Sequence, residues 1–269
     1  MIEPLSLDEA YLDVTESALE LGSATEVAIQ IKQQIQNEIN LTASAGVSYN
    51  KFLAKIASDM DKPNGLYVIR PEVAQAFIEQ LEIRKFYGVG KVTEKRMHAL
   101  GIFSGADLKR LSEVELQTEF GSSGAYYYRV ARGIDERPVK AFSKRKSIGK
   151  ETTFDSNVTN KASIWQTLLG IAERLESTLS DKKMMARTIT LKVKYSDFQL
   201  NTRSKTDTNG FISKDQMAAA LPELLSKTEV GSRPIRLIGI TLANLYQIDE
   251  VSDSRIVSET QEDPQLGLF

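Results

Sequence analysis

The first 70 residues combine short apolar runs with stretches of helical apolar spacing. Apolar residues recur at helical spacing from Val27 to Ile39, which predicts a helix with one apolar face, and Ser23 with Glu26 before it matches a capping box. A second helical pattern follows Asn50, a residue that can cap it, and ends at a Pro-Asn-Gly turn. Residues 5–14 are predicted to form a strand or a hairpin edge, and strands are predicted at 41–47 and 66–69. The order β-α-β-α-β predicts an α/β unit over residues 1–70.

The pattern changes twice more along the chain. Residues 71–135 are predicted to form an all-helical domain of short helices separated by glycines. Residues 136–147 lack apolar periodicity and contain five Lys or Arg, which is typical of a basic linker. Residues 148–248 are predicted to form an α+β domain, with strands near 147–154, 188–195 and 234–245 and helices near 164–179 and 214–225. Residues 249–269 are predicted to be a mobile tail, so the expected fold class is α+β with several domains.

Charge is distributed unevenly, although the whole chain carries only −2. Residues 1–80 carry −7, residues 81–155 and 156–247 carry +5 each, and residues 248–269 carry −5. A basic middle between acidic ends indicates a body that binds an anionic partner. Chance clustering of solvated charge is the alternative.

Composition excludes several kinds of chemistry. Because the chain has no Cys, disulfides, thiolate metal sites and cysteine nucleophiles are excluded. The chain has a single His, so catalysis that depends on histidine is disfavoured, and His98 is assigned no chemistry. A metal would have to bind carboxylates, which favours Mg²⁺, Mn²⁺ or Ca²⁺. No apolar run is long enough to span a membrane and no signal peptide is evident, so a cytoplasmic location is expected.

Adjacent carboxylates stand in the stretch SLDEAYLDV, residues 6–14. Asp8 and Glu9 could hold a divalent cation between them, as phosphoryl transfer requires. The spacing Ser6-x-x-Glu9 also matches a helix capping box, and spacing alone favours that structural interpretation.

Two further motifs could bind phosphate. Lys62, with other lysines on and after the helix that follows Asn50, could act as a point charge for phosphate, although a solvated helix face is the alternative. Gly88 and Gly90 precede an amphipathic helix that begins at Lys91, so backbone N–H groups could approach a phosphate at the helix N-terminus. This matches the helix-hairpin-helix pattern of proteins that grip the DNA backbone, and a plain turn is the alternative.

The chain ends in QLGLF, an apolar cluster behind a polar, acidic leader. Such a peptide suits docking of an extended segment in a partner's pocket, with a frayed terminus as the alternative. The predicted contacts are Gln265, Leu266, Leu268 and Phe269.

Three of these motifs together resemble one family. IEPLSLDEAYLDVT (2–15), TASAGVSYNKFLAKIASDMDKPNG (42–65) and GVGKV (88–92) are similar to the bacterial DNA polymerase IV family, which are Y-family translesion DNA polymerases. The resemblance implies a partial palm at 1–70, a helical thumb at 71–135, a little finger domain at 148–248 and a tail peptide that binds the replicative sliding clamp. The implied activity is Mg²⁺-dependent addition of deoxynucleotides to a primer 3′ end.

The resemblance also assigns site residues. It implies that Asp8 and Glu9 are catalytic metal ligands of a two-metal Mg²⁺ site and that Lys62 contacts the incoming nucleoside triphosphate. It places duplex backbone against Gly88, Gly90 and Lys91. The implied phosphate contacts of the linker and little finger are Lys144, Arg145, Lys146, Arg187 and Arg236.

The chain departs from the family pattern at its start. In the family an earlier palm strand carries a further metal-binding aspartate and the fingers domain follows it, and neither is found in this sequence. We therefore expect either a polymerase completed by a separate chain or a non-catalytic remnant that binds primer-template DNA and the clamp. In both cases the partners are DNA and the clamp, with deoxynucleoside triphosphates for the active form and no membrane.

Overall fold

A computed structural model describes residues 1–142 and 144–248, without the side chain of Leu19. The chain separates into two compact units, divided after residue 143. Each unit has its own cluster of buried hydrophobic residues. Across the described ranges, no helix has the length and apolar character that membrane crossing demands.

Unit 1 begins with an antiparallel hairpin of two short strands, β1 (Ile2–Pro4) and β2 (Ala10–Leu12). Helices α1 (Thr15–Leu21) and α2 (Ala24–Ile39) follow it. Strand β3 (Ala45–Val47), helix α3 (Lys51–Met60) and strand β4 (Leu66–Val68) form a parallel β-α-β unit. The predicted strand or hairpin edge at 5–14 thus contains the turn of the hairpin and its second strand, β2. Helix α1 is not predicted from the sequence pattern.

The predicted helix starts are confirmed by their capping contacts. The Ser23 hydroxyl accepts a hydrogen bond from the backbone N–H of Glu26 (3.2 Å), and the Asn50 side chain accepts one from that of Leu53 (3.0 Å). These bonds satisfy donors that a helix N-terminus leaves unpaired. The predicted apolar face of α2 is only partly covered, because Val27 is buried whereas Ile39 is 60% exposed.

The rest of unit 1 is helical, as the spacing predicts. Glycine-containing turns separate most of its helices, and the apolar sides of these helices share one core with α3. Tyr127 is buried in this core, while Tyr126 and Tyr128 pack at its edge. The elements are α4 (Pro71–Gln80), a 3-10 turn (Ile83–Lys85), α5 (Lys91–Ala99), α6 (Gly105–Arg110), α7 (Glu113–Phe120) and α8 (Ser122–Val130).

Unit 2 is a four-stranded antiparallel sheet with two helices. Its sheet order is β5-β8-β6-β7. In β6, buried residues alternate with mostly half-buried ones, and the buried set packs against both helices. The elements are β5 (Ser147–Val158), α9 (Lys161–Asp181), β6 (Met184–Tyr195), β7 (Leu200–Phe211), α10 (Lys214–Ser226) and β8 (Ile235–Gln247).

The predicted strands and helices of unit 2 are confirmed except for β7, which the apolar pattern does not reveal. The sequence LNTRSKTDTNGF is polar at almost every position. This strand lies at the edge of the sheet. Its Lys205 pairs with Glu223 of α10 and does not enter the core. Backbone pairing with β6 therefore forms β7 without an apolar face.

Candidate active site and nucleic-acid-binding surfaces

Asp8 and Glu9 lie in the turn that joins β1 to β2. The backbone N–H groups of Leu5 and Ser6 donate to the carbonyl oxygen of Glu9 at 2.8 and 3.2 Å, which closes the turn. No helix begins here, so the capping-box interpretation of Ser6 and Glu9 is wrong. The Ser6 hydroxyl instead donates to Asp8 Oδ1 at 2.6 Å. The hairpin thus presents two adjacent carboxylates at its tip.

A chain of ion pairs connects this turn to α3 and the residue that follows it. Glu9 Oε1 lies 3.3 Å from Lys55 Nζ, and Lys55 Nζ lies 3.0 Å from Asp59 Oδ2. Asp59 Oδ1 lies 2.7 Å from Lys62 Nζ. We call these four side chains the charge relay, meaning only that ion pairs connect them in space. The structure therefore brings predicted site residues Glu9 and Lys62 into one network.

Electrostatics favour the charged forms of Lys55 and Asp59. Burial alone would raise the pKa of Asp59, but hydrogen bonds from Lys62 and Lys55 outweigh it and hold that pKa below its usual value. Burial alone would lower the pKa of Lys55, yet hydrogen bonds to Asp59 and Glu9 keep it raised. The Lys55 side chain is only 15% exposed, so its charge stays close to both carboxylates.

Two members of the relay are not among the site residues that the resemblance assigns, although Lys55 is one of the lysines whose position in the sequence suggests phosphate binding. Lys55 and Asp59 are spaced i, i+4 on α3, the spacing at which opposite charges meet on a helix face. That spacing is a usable signal for their contact with each other. Contact between Lys55 and Glu9 joins residues 46 positions apart, and local spacing does not predict it.

The donor set at the turn fits a divalent cation in part. Carboxylate oxygen is the ligand type that Mg²⁺ prefers, and one or two carboxylates together with substrate phosphates commonly hold it. Asp8 and Glu9 meet that description for one ion. A complete two-metal site needs more ligands, and within residues 1–142 and 144–248 no three His, Cys, Asp or Glu side chains cluster closely enough to bind a metal.

The glycine turn before α5 leaves the N-terminus of that helix without a side-chain cap. Gly88 adopts φ +89°, a conformation that side-chain-bearing residues rarely adopt. Gly90 occupies the N-cap of α5 with open space around it and no side-chain cap, so the first N–H groups of the helix face no capping side chain. The Tyr127 hydroxyl donates to the Gly88 carbonyl at 3.4 Å, which ties the turn to the helical core. Lys91 is exposed beside it.

Unit 2 places its predicted cations at separate points. Arg187 lies in β6, with its guanidinium 4.3 Å from the ring centre of Tyr246. Arg236 lies in β8, near the paired positions Tyr195 and Ile235. About seven residues of paired strand, roughly 25 Å, separate the two arginines. Lys144, Arg145 and Lys146 are exposed and precede β5.

The turn between β6 and β7 contains an aromatic group that sequence analysis does not select. Phe198 is 60% exposed and has φ +67°, which is unusual for a bulky residue. Lys194 Nζ and the Arg236 guanidinium lie 5.0 and 4.8 Å from its ring centre. Arg233 fastens the turn through Asp197 at 2.7 Å. Cations around an exposed ring are typical of surfaces that bind nucleic acid.

Not every predicted contact can be located. Gln265, Leu266, Leu268 and Phe269, the predicted clamp-binding peptide, lie outside the described residues.

Family models match most of the chain. Residues 1–59 match the impB/mucB/samB family, residues 71–102 match the IMS family HHH motif, and residues 145–257 match the impB/mucB/samB family C-terminal domain. The motif match covers α4, the glycine turn and α5.

Curated relatives share the resemblance along almost the whole chain. DNA polymerase IV of Alkalilimnicola ehrlichii is 49% identical over 248 residues, which are 92% of this chain and 70% of the relative. DNA polymerase IV 2 of Agrobacterium fabrum is 45% identical over 268 residues, 100% of this chain and 73% of the relative. DNA polymerase IV of Listeria welshimeri is 48% identical over 92% of this chain and 70% of the relative.

Solved structures resemble the fold as well. The Y-family DNA polymerase chimera Dbh-Dpo4(243-245)-Dbh superposes with a TM-score of 0.76 at 33% identity, covering 90% of this chain and 70% of that one. A structure described as the insertion ternary complex of Dbh DNA polymerase gives a TM-score of 0.57 at 32% identity, with the same two coverages.

Proposed function

We propose, from the premise that the chain belongs to the DNA polymerase IV family of Y-family, DNA-directed DNA polymerases, that it performs Mg²⁺-dependent, template-directed addition of deoxynucleotides to a primer 3′ end. The relatives are translesion polymerases, so the biological setting proposed is DNA damage tolerance. One observation supports this most directly: the relay connects the Asp8–Glu9 turn to Lys62. Carboxylates and a phosphate-binding lysine are thereby held in one network, as nucleotidyl transfer needs.

Each residue of the network has a proposed role. Asp8 and Glu9 would hold Mg²⁺, which when bound supplies positive charge that stabilises the transferring phosphate. Lys62 is exposed at the end of the relay and would contact the triphosphate of the incoming nucleotide. Asp59 pairs with both Lys55 and Lys62 and holds Lys62 near α3 until a triphosphate competes for it.

Duplex DNA would be held through its backbone. The N–H groups after Gly90 and the ammonium of Lys91 suit phosphate oxygens, and these contacts do not depend on base sequence. In unit 2, Arg187, Arg236, Lys194 and the segment 144–146 supply further cations, and Phe198 supplies an apolar surface for sugar or base. This set is consistent with a polymerase that must accept any template.

The test of catalysis is single-turnover extension of a primer by one nucleotide. Asp8→Asn preserves an acceptor for the Ser6 hydroxyl and removes one charge, so the rate should fall on the order of 100-fold. Lys62→Ala should weaken nucleotide affinity while DNA affinity stays constant. Asp13→Asn is the matched control, because Asp13 lies in the same hairpin motif and caps Thr15. Equal rates for the Asp8 and Asp13 variants would contradict the assignment.

A second candidate function is DNA binding without turnover. It is favoured by the two-carboxylate donor set and by the division of the described palm strands into two separate two-stranded sheets. Such sheets expose edges that a further strand can pair with, so we propose that a segment or chain carrying an acidic strand completes the active form. This version would be supported if the chain binds primer-template DNA tightly without extending the primer, and if adding that strand restores extension.

DNA binding should depend steeply on salt in both versions. Seven candidate cations would release counterions, so affinity should fall about 10³-fold between 50 and 200 mM salt. Salt-independent binding would contradict the proposed cationic surfaces.

We also propose that QLGLF docks on the replicative sliding clamp. An apolar-ended peptide behind a polar leader suits a pocket that takes two leucines and an aromatic ring. Deletion of residues 265–269 should abolish clamp binding in a pull-down while the DNA dissociation constant stays within about twofold. Equal loss of both affinities would contradict a separate docking peptide.

A further inference from the structure

The segment that leaves the helical domain lies against the catalytic hairpin of unit 1. We call residues 133–140 the brace. The backbone N–H of Lys140 donates to Glu3 Oε2 at 2.7 Å, and Lys51 Nζ donates to Glu3 Oε1 at 2.6 Å. The Pro138 carbonyl accepts from the same ammonium at 3.4 Å. One carboxylate of β1 is thus held by α3 and by the brace together.

Lys51 also contacts the second strand of the hairpin. Its ammonium lies 4.8 Å from the ring centre of Tyr11 in β2. Lys51 is only 8% exposed and is the one polar or charged residue of the described ranges that is buried. A buried ammonium is costly unless it is paired, so its contacts with Glu3 and the Tyr11 ring are strongly constrained.

The brace is anchored to α3 at its other end. Asp135 accepts the backbone N–H of Phe52 at 2.9 Å and forms a two-point ion pair with Arg137 at 2.6 and 2.7 Å. The Asn50 amide donates to the Gly133 carbonyl at 2.9 Å. The N-terminus of α3, the brace and the hairpin therefore form one polar assembly.

The hairpin depends on such an assembly for its position. Its strands contain three residues each, and an isolated two-stranded hairpin is at best marginally stable in water. Tyr11 is its one buried side chain, and no hairpin residue belongs to the hydrophobic core of unit 1. The turn that carries Asp8 and Glu9 is consequently positioned by polar contacts more than by apolar packing.

We propose that Glu3 and Lys51, fastened to the brace, are positioning residues that place the Asp8–Glu9 turn for catalysis. This inference rests on the proposed polymerase function for its catalytic consequence. Neither side chain touches the carboxylates of the turn, so their effect is exerted through the hairpin backbone.

Hydrogen–deuterium exchange of the full chain tests whether Glu3 and Lys51 hold the hairpin in place, and this measurement does not require activity. Lys51→Met and Glu3→Gln should each accelerate exchange of residues 2–12 at least tenfold while exchange in the helical core stays unchanged. Tyr11→Phe keeps the ring under the ammonium and removes a hydroxyl that has no partner in the described residues, so it should leave the hairpin protected. Lys205→Met removes an ion pair of unit 2 with a similar 2.7 Å distance and is the matched control. The proposal would be overturned if the hairpin exchanged no faster in Lys51→Met and Glu3→Gln than in Lys205→Met.

Single-turnover primer extension tests whether this positioning of the Asp8–Glu9 turn matters for catalysis. Glu3→Gln should lower the incorporation rate constant at least tenfold and raise the half-saturating Mg²⁺ concentration severalfold, with DNA affinity within twofold of native. A merely structural role would reduce only the amplitude, because fewer molecules would be folded. A native chain that extends no primer would refute the proposed function, and hydrogen exchange would still decide whether the brace holds the hairpin.

Discussion

Unit 2 and the hairpin region of unit 1 are stabilised in different ways. In unit 2, four strands of 12 or 13 residues share one continuous core with two helices. In unit 1, the hairpin has strands of three residues, and among the side chains that the structure describes the buried core cluster begins at Phe52. Glu3, Glu9 and Lys51 connect the hairpin to α3 by charge instead. The residues proposed for chemistry thus lie in the less apolar region.

The largest expected effect comes from the core of unit 2. Leu191 is fully buried in β6, so Leu191→Ala should lower the free energy of unfolding of unit 2 by about 3 kcal/mol. Hydrogen exchange should accelerate throughout the four strands and remain unchanged in α3. The two clusters of buried residues are separate, which is the reason for expecting a local effect.

The neighbouring residue provides the control for this substitution. Lys192 lies on the opposite face of β6 and pairs with Glu151 at 2.7 Å, so Lys192→Ala should cost less than about 1 kcal/mol. Equal acceleration of exchange in α3 and in β6 by Leu191→Ala would show that the chain unfolds as one cooperative body, and the contrast between the regions would fail.

A smaller, pH-dependent effect is expected in the brace. Burial alone would raise the pKa of Asp135, but hydrogen bonds from Arg137 outweigh it and hold the pKa below its usual value. A depressed carboxylate pKa stabilises the fold above the unfolded value near 4 and loses that contribution as pH falls through the folded value. Asp135→Asn should therefore destabilise unit 1 by about 2 kcal/mol at pH 7.

The sign of this effect can be measured by thermal unfolding at several pH values. The difference between native protein and Asp135→Asn should be largest at pH 7 and should shrink as the pH falls below about 4, where the unfolded chain takes up the proton first. It should level off only at the lower pH at which the folded carboxylate is itself protonated. Asp61→Asn is a suitable control, because Asp61 is an exposed carboxylate just after α3. A difference that stays constant down to pH 3 would show that the Asp135 charge does not stabilise the brace.

Much of the local structure follows from sequence patterns. Ser23 and Asn50 cap the helices that their spacing predicts. The Ser6–Glu9 spacing shows the limit of such patterns, since it fits a helix cap and a hairpin turn equally well. Strand β7 shows the other limit, because a polar edge strand has no apolar period to detect.

The sequence by itself determined the elements and the available chemistry: carboxylates at 8 and 9, a lysine at 62, glycines before a helix, and no thiol. Only the tertiary structure decided that Glu9 meets Lys55 across 46 positions and that Glu3 accepts the N–H of Lys140 across 137. Capping and helical spacing act within a few residues, so sequence patterns carry them. Contacts between distant segments depend on how α3, the hairpin and the brace pack, and no periodicity along the chain encodes that packing.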